Sequence, residues 1–331
     1  MQRLIAQISS FIVNAVNFFV HDLWTLDFND LSTYKRALAR RYQEIVLSIK
    51  GFTKNRIGRE AVALSFFTTM ATVPMVAAIL FVSNGFGLTQ LLSDMLYQSF
   101  PTSTDLIGFI MNMANNIVAA TEKGAFGWIS FISFIWLVFW LMINIEIAFN
   151  RIWKVEHQRK IWKRVAVYMT ILLMTPFVLL LFLFGWGYYA KFIGILEGRL
   201  GVFTFVTKNI FWLIFYVVAV FALSMMYKFI PHAKISYRSA LYASLASGAA
   251  FVVIQYLYMG TQLMVTRISA VYGVLAFIPL FMVWINICWQ IILFGAELSR
   301  ASQLLKEWEE AENSDEHPEI EKKKKYLEAQ Q

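Results

Sequence analysis

Glu146, Asn150 and Arg151 close one long apolar run, and Asn286, Gln290 and Glu297 punctuate another. Ionisable and amide side chains are costly in apolar surroundings, so those that occur there face a wet cavity or one another. Asn150 lies four residues beyond Glu146 and shares its helical face, and Arg151 is near enough in sequence for a charge pair at the run's end. At about 1.5 Å rise per residue, Glu146 sits in the third of its run nearest the basic residues that follow. Such a carboxylate serves either an interhelix salt bridge or a site for a substrate, ion or proton. Asn286, Gln290 and Glu297 fall within roughly 40° of one another at about 100° per residue. They form one polar stripe, used either as hydrogen-bonded glue between helices or as the lining of a path. Gln255, in a further apolar run, and Asn144, in the same run as Glu146, extend the same network. The candidate substrate path is therefore Asn144, Glu146, Gln255, Asn286, Gln290 and Glu297.

Other chemistries lack their residues. The four histidines, His21, His157, His232 and His317, are scattered outside the apolar runs, and the single cysteine, Cys288, lies within one. No His-x-x-x-His pair, paired-carboxylate metal motif, P-loop or Ser-His-Asp arrangement can be drawn, so neither a metal nor a cofactor is expected. The sequence does not read as an enzyme. Without a P-loop, energy for transport would come from a gradient, a partner or the substrate.

The elements that position these residues follow from composition. Apolar residues make up 59% and charged residues 15% of the 331-residue chain, against about 45–50% and about 25% in soluble domains. The excess is gathered into six runs: Ala61–Val82, Phe126–Phe149, Val165–Ala190, Ile210–Met226, Ser239–Gln262 and Val274–Gly295. Each approaches the roughly 17–25 residues that cross a bilayer as a helix, and lipid leaves helices as the only sensible reading. The expected fold is all-α, a polytopic membrane protein with six transmembrane helices. Of the 29 Lys and Arg residues, all but Lys123, Lys191, Arg199, Lys208 and Arg267 fall on one side of that layout. The asymmetry places both termini in the cytoplasm. The net charge of +8 is accounted for by anionic headgroups, so membrane lipids are the expected partner and nucleic acid is not.

Three regions flank the spans. Residues 1–56 read as cytoplasmic amphipathic helices lying on the inner leaflet or packing under the spans: Leu4, Ile8, Phe11, Ile12, Ala15, Val16 and Phe19 line the first, and Tyr34, Leu38, Tyr42, Ile45 and Ile49 the second. The six-helix domain covers 57–300, with two short outer-face helices within about 86–122. Leu88, Leu92, Met95, Ile110 and Met113 on those helices are candidates for docking a partner. Residues 301–331 form a charged cytoplasmic tail, expected to be disordered over Glu307–Gln331. Pro74, Pro176 and Pro279 would kink spans one, three and six.

Several segments together resemble the YihY/BrkB family. They are Leu64-Ser65-Phe66-Phe67 with Val73-Pro74, Asn144 through Trp153, Tyr227-Lys228-Phe229-Ile230-Pro231 with Arg238-Ser239-Ala240, and Ala270-Val271-Tyr272-Gly273 with Phe294-Gly295-Ala296-Glu297-Leu298. The resemblance covers roughly residues 55–300. It implies a bacterial inner-membrane protein with six helices, and it marks Pro74, Asn150, Arg151, Trp153, Pro231, Tyr272, Gly273, Gly295 and Glu297 as structural or path residues. Glu146 stands where many members have an apolar or small residue, so no role is inherited there. The family carries an old ribonuclease label, but the acids, bases and metal ligands of RNA cleavage are missing here. Its members are connected with envelope integrity, serum resistance and transport, and some resemble inner-membrane partners of periplasm-spanning lipid-transfer proteins. The function expected is export of an amphipathic substrate, a lipid, toward the outer envelope. The alternative is a membrane scaffold that docks a periplasmic lipid-transfer partner.

Overall fold

The computed structural model describes residues 32–87, scattered positions between 90 and 119, residues 125–155, four positions between 162 and 168, and residues 204–272 and 277–313. The first amphipathic segment, most of the third span with Pro176, the docking candidates Leu88, Leu92, Met95, Ile110 and Met113, Gly273, and the tail beyond Asn313 lie outside the described residues.

Six long helices are described: α1 Thr33–Lys54, α2 Ile57–Gly85, α3 Ala125–Ile152, α4 Thr204–Phe229, α5 Tyr237–Tyr272 and α6 Phe277–Asn313. No strand occurs among the described residues. Helices α2 to α5 contain spans one, two, four and five, α6 covers span six from Phe277 on, and most overrun them because hydropathy fades before the helical hydrogen bonding does. Among the described residues, four stretches are long and apolar enough to cross a membrane: Ile135–Ile152, Trp212–Phe229, Tyr237–Tyr258 and Pro279–Glu310. Trp136, Leu213, Val217, Phe221, Val253, Tyr256, Leu257 and Val283 are exposed along them. Apolar side chains pointing outward at this density suit a hydrocarbon solvent and not water. The molecule is membrane-embedded.

Pro74 lies inside α2, which continues past it to Gly85, and Pro279 is the third residue of α6 as described from Phe277.

The chain divides into two compact units, Met1–Gly51 with Arg300–Gln331, and Phe52–Ser299. In the first unit Leu47 packs with Ala301, Leu305 and Trp308, and Arg40 Nη1 donates to Glu309 Oε2 at 2.8 Å. Apolar residues at helical spacing carry α6 on through Asn313, so residues 307–313 are ordered helix and not the disordered tail expected. The buried face of α1 carries Gln43, Glu44, Leu47 and Ser48. The stripe through Tyr34, Leu38, Ile45 and Ile49 faces outward, so the apolar face read from the sequence is not the one this unit buries.

In the second unit, small residues let helices approach closely. A Cβ on Gly248 of α5 would lie 2.8 Å from Val220 Cγ2 of α4. Tyr216 Oη donates to the Leu245 carbonyl at 3.1 Å across the same crossing, and Trp212 meets Tyr256 edge-on. Leu64, Leu141, Phe149, Tyr227, Ala243, Leu293 and Ala296 form a common core among α2 to α6.

Candidate functional site

The ionised groups gather where helices end. Glu146, one turn and a half before the end of α3, is 2% exposed. Arg164 Nε lies 3.1 Å from its Oε2, and Arg164 Nη2 donates to Oε1 at 3.2 Å. The Tyr168 hydroxyl donates to Oε2, and Asn150 Nδ2 approaches Oε1 at 3.5 Å. Asn150 Oδ1 in turn accepts the His232 backbone N–H at 2.8 Å, which ties the end of α3 to the α4–α5 turn. Lys228 closes that turn by donating to the Ile235 carbonyl. A carboxylate taken out of water carries a desolvation cost that only a close cation and hydrogen bonds offset. Glu146 has both.

Arg151 was expected beside Glu146, but it pairs with Glu60 in the first turn of α2. The reason is angular: five residues along a helix turn the side chain by about 140°, away from the face Glu146 uses. The Glu60–Arg151 pair is largely exposed and contributes little, on the order of 0–1 kcal/mol. It does place the start of α2 against the end of α3.

Glu297 of α6 is also buried. Its Oε1 accepts from Asn55 Nδ2 at 2.6 Å. Asn55 stands in the two-residue turn between α1 and α2, where Arg56 takes a left-handed φ of 53°. These pairs bring the starts of α2 and α5, the ends of α3 and α4, and Glu297 to one end of the bundle. Just inside it, Tyr227 Oη donates to Ser247 Oγ at 2.8 Å. A Cβ on Gly295 would overlap Tyr227 Oη and come within 2.8 Å of Ser247 Cβ, so only glycine fits that close approach.

A different polar level lies deeper along α6. Gln290 Nε2 donates to Asn286 Oδ1 at 2.6 Å. Eleven residues separate Asn286 from Glu297, which is about 16 Å along the helix. Among the described residues, neither Asn286 Nδ2 nor Trp284 Nε1, both buried, has a hydrogen-bond partner. At the same deeper level Trp289 Nε1 donates to Thr68 Oγ1 at 2.9 Å, joining α6 to α2. Thr68, Thr69, Thr72 and Ser65 return their own hydroxyl hydrogens to carbonyls of α2, so span one presents hydroxyl oxygens as acceptors.

The sequence candidates are therefore separated by the fold. Glu146 and Glu297 belong to the ion-paired end, and Asn286 with Gln290 to the deeper level. Asn144 Nδ2 bonds to the Trp140 carbonyl of its own helix. No hydrogen bond joins Asn144 or Gln255 to the Asn286–Gln290 pair among the described residues. Of the motif positions, Pro231 is buried in the α4–α5 turn, the buried indole N–H of Trp153 has no partner among the described residues, and Tyr272 is the last described residue of α5. Arg164, Tyr168 and Asn55 were not singled out from the sequence. The i, i+4 spacing of Arg164 and Tyr168 on one helical face is the signal that points to the first two.

Known proteins bear on this arrangement. The chain is 28% identical over 266 residues to the UPF0761 membrane protein of Acinetobacter baylyi, covering 78% of this chain and 62% of that relative. It is 26% identical over 265 residues to the UPF0761 membrane protein of a Janthinobacterium species, covering 77% and 58%. A Haemophilus influenzae member is 25% identical over 260 residues, with 76% and 91% covered. The chain thus spans roughly three-fifths of the first two relatives. No solved structure matches. The sequence model described as "Virulence factor BrkB" matches residues 48–320, nearly the whole of the helical region above. The chain belongs to the BrkB family of membrane proteins.

Proposed function

We propose that this protein moves an amphipathic substrate, a lipid, out of the bacterial inner membrane toward the outer envelope. Six membrane-crossing helices and both termini on the cytoplasmic side complete the reading, supported by the even number of apolar runs and the one-sided distribution of Lys and Arg. The ion-paired end then faces the cytoplasm. A periplasm-spanning lipid-transfer protein would receive the substrate on the other side.

The observation that carries the proposal is the Asn286 amide. Its oxygen is used by Gln290, and its Nδ2 is buried without an acceptor among the described residues. An unsatisfied buried donor costs about 1–3 kcal/mol, and polar groups kept inside a membrane span mark substrate paths. A phosphate or ester oxygen of a lipid headgroup is an acceptor of the right chemistry. The hydroxyl oxygens on α2 and the Gln290 side chain add further polar footing.

The test is transfer of a headgroup-labelled phospholipid from proteoliposomes holding the full chain. Asn286→Leu is expected to slow transfer about tenfold, the worth of one hydrogen bond to a charged acceptor, with unchanged thermal stability. Transfer at the parental rate, at equal reconstitution, contradicts the assignment.

A further inference from the structure

We infer that the outward face of α1 is a docking surface for an anionic lipid leaflet. The inference stands apart from the translocation reading and rests on different residues. Tyr34, Leu38, Ile45 and Ile49 are 78%, 62%, 47% and 52% exposed. At about 100° per residue they fall within roughly 60° of one another, a single apolar stripe. The unit that contains them buries the opposite face, Leu47 against Ala301, Leu305 and Trp308.

Charge names the occupant. Helix α1 carries Lys35, Arg36, Arg40, Arg41, Lys50 and Lys54 and one acid, Glu44. The Glu44 side chain is 0% exposed and is held by Arg41 Nη1 at 2.7 Å and by Arg40 Nε at 3.6 Å. The helix therefore shows its surroundings only positive charge. Lys35 and Arg41 lie about 60° to either side of the stripe; the long Lys35 side chain can lay its stem along apolar surface and raise its charge to headgroups, while Arg41 also holds Glu44. An apolar stripe between basic flanks is the signature of a helix lying in the interface plane. A second copy of the chain would bring the same cations against each other. The chain also enters the apolar helix α2 only two residues after α1 ends.

The experiment places a nitroxide on Leu38→Cys or Ile45→Cys of the full chain, with Cys288→Ala to remove the native thiol. Liposomes are made of phosphatidylcholine alone or with phosphatidylglycerol, and collision with oxygen is compared with collision with an aqueous nickel chelate. Both labels should favour oxygen in the phosphatidylglycerol liposomes and shift toward the chelate in phosphatidylcholine or high salt. A label at Glu310→Cys, in the same unit, should stay aqueous in every case. Lys35→Gln should lower the docked-to-undocked ratio roughly fivefold, the equivalent of about 1 kcal/mol for a basic side chain near the surface. Aqueous labels at both positions in both liposomes overturn the inference. Protection independent of lipid charge also overturns it, with short distances between labels of two molecules identifying a second copy as the cover, and cross-links to residues 1–31 identifying the chain's own N-terminal segment.

Discussion

The guanidinium of Arg164 lies along the carboxylate of Glu146, Nε 3.1 Å from Oε2 and Nη2 3.2 Å from Oε1. The carboxylate is withdrawn from solvent at the end of α3, and Asn150 carries the linkage on to the α4–α5 turn. The pair joins α3 to a segment 18 residues on, and Asn150 joins it to a turn 82 residues on.

Breaking that pair from one side should be severe. Arg164→Met leaves a buried carboxylate without its cation, and Glu146→Gln leaves a buried guanidinium without its anion. Each is expected to cost about 3–5 kcal/mol, and the double variant Glu146→Leu/Arg164→Met should recover most of the loss. Thermal unfolding of the purified proteins in one detergent measures this. Additive losses in the double variant would mean that the two side chains do not act together.

Gly295→Ala should be destabilising although alanine favours helices. The new Cβ meets Tyr227 Oη and Ser247 Cβ, neither of which can withdraw freely in a packed crossing. Overpacking of this kind costs about 1–3 kcal/mol. Tyr227→Phe removes the nearest atom and should restore part of the stability. If Gly295→Ala melts at the parental temperature, the close approach of α4, α5 and α6 at this point is wrong.

The bond from Trp289 Nε1 to Thr68 Oγ1 should show as coupling between α2 and α6. Thr68→Val and Trp289→Phe, singly and together, form a double-mutant cycle. Side-chain hydrogen bonds between membrane helices average about 0.6 kcal/mol and reach about 1.7. A coupling energy in that range is expected, and a value of zero would remove the bond as a link between the two helices.

The sequence made some of this visible and hid the rest for physical reasons. Apolar run length and one-sided basic charge are local quantities, so the spans in α2, α3, α4, α5 and α6 could be drawn without knowing any partner. The stripe of Asn286, Gln290 and Glu297 was also legible, because angular position along one helix is arithmetic. What that stripe contacts was not. Glu297 bonds to Asn55, 242 residues away, and no periodicity encodes such a pairing. Sequence proximity also misled: Arg151 is closer in sequence to Glu146 than Arg164 is, yet the helix turns it toward Glu60. The outward stripe of α1 was seen as amphipathic, but which face its own unit would cover depended on Leu305 and Trp308, at the other end of the chain.

The most direct test of the account is a cryo-EM map of the full chain purified in native lipid. Elongated lipid density against α6 at Asn286 and Gln290, with an acceptor oxygen within hydrogen-bond distance of Asn286 Nδ2, is the predicted result. A bundle packed with protein around Asn286, leaving no space for an acyl chain, would contradict the lipid path and leave docking of a partner as the role of the membrane domain.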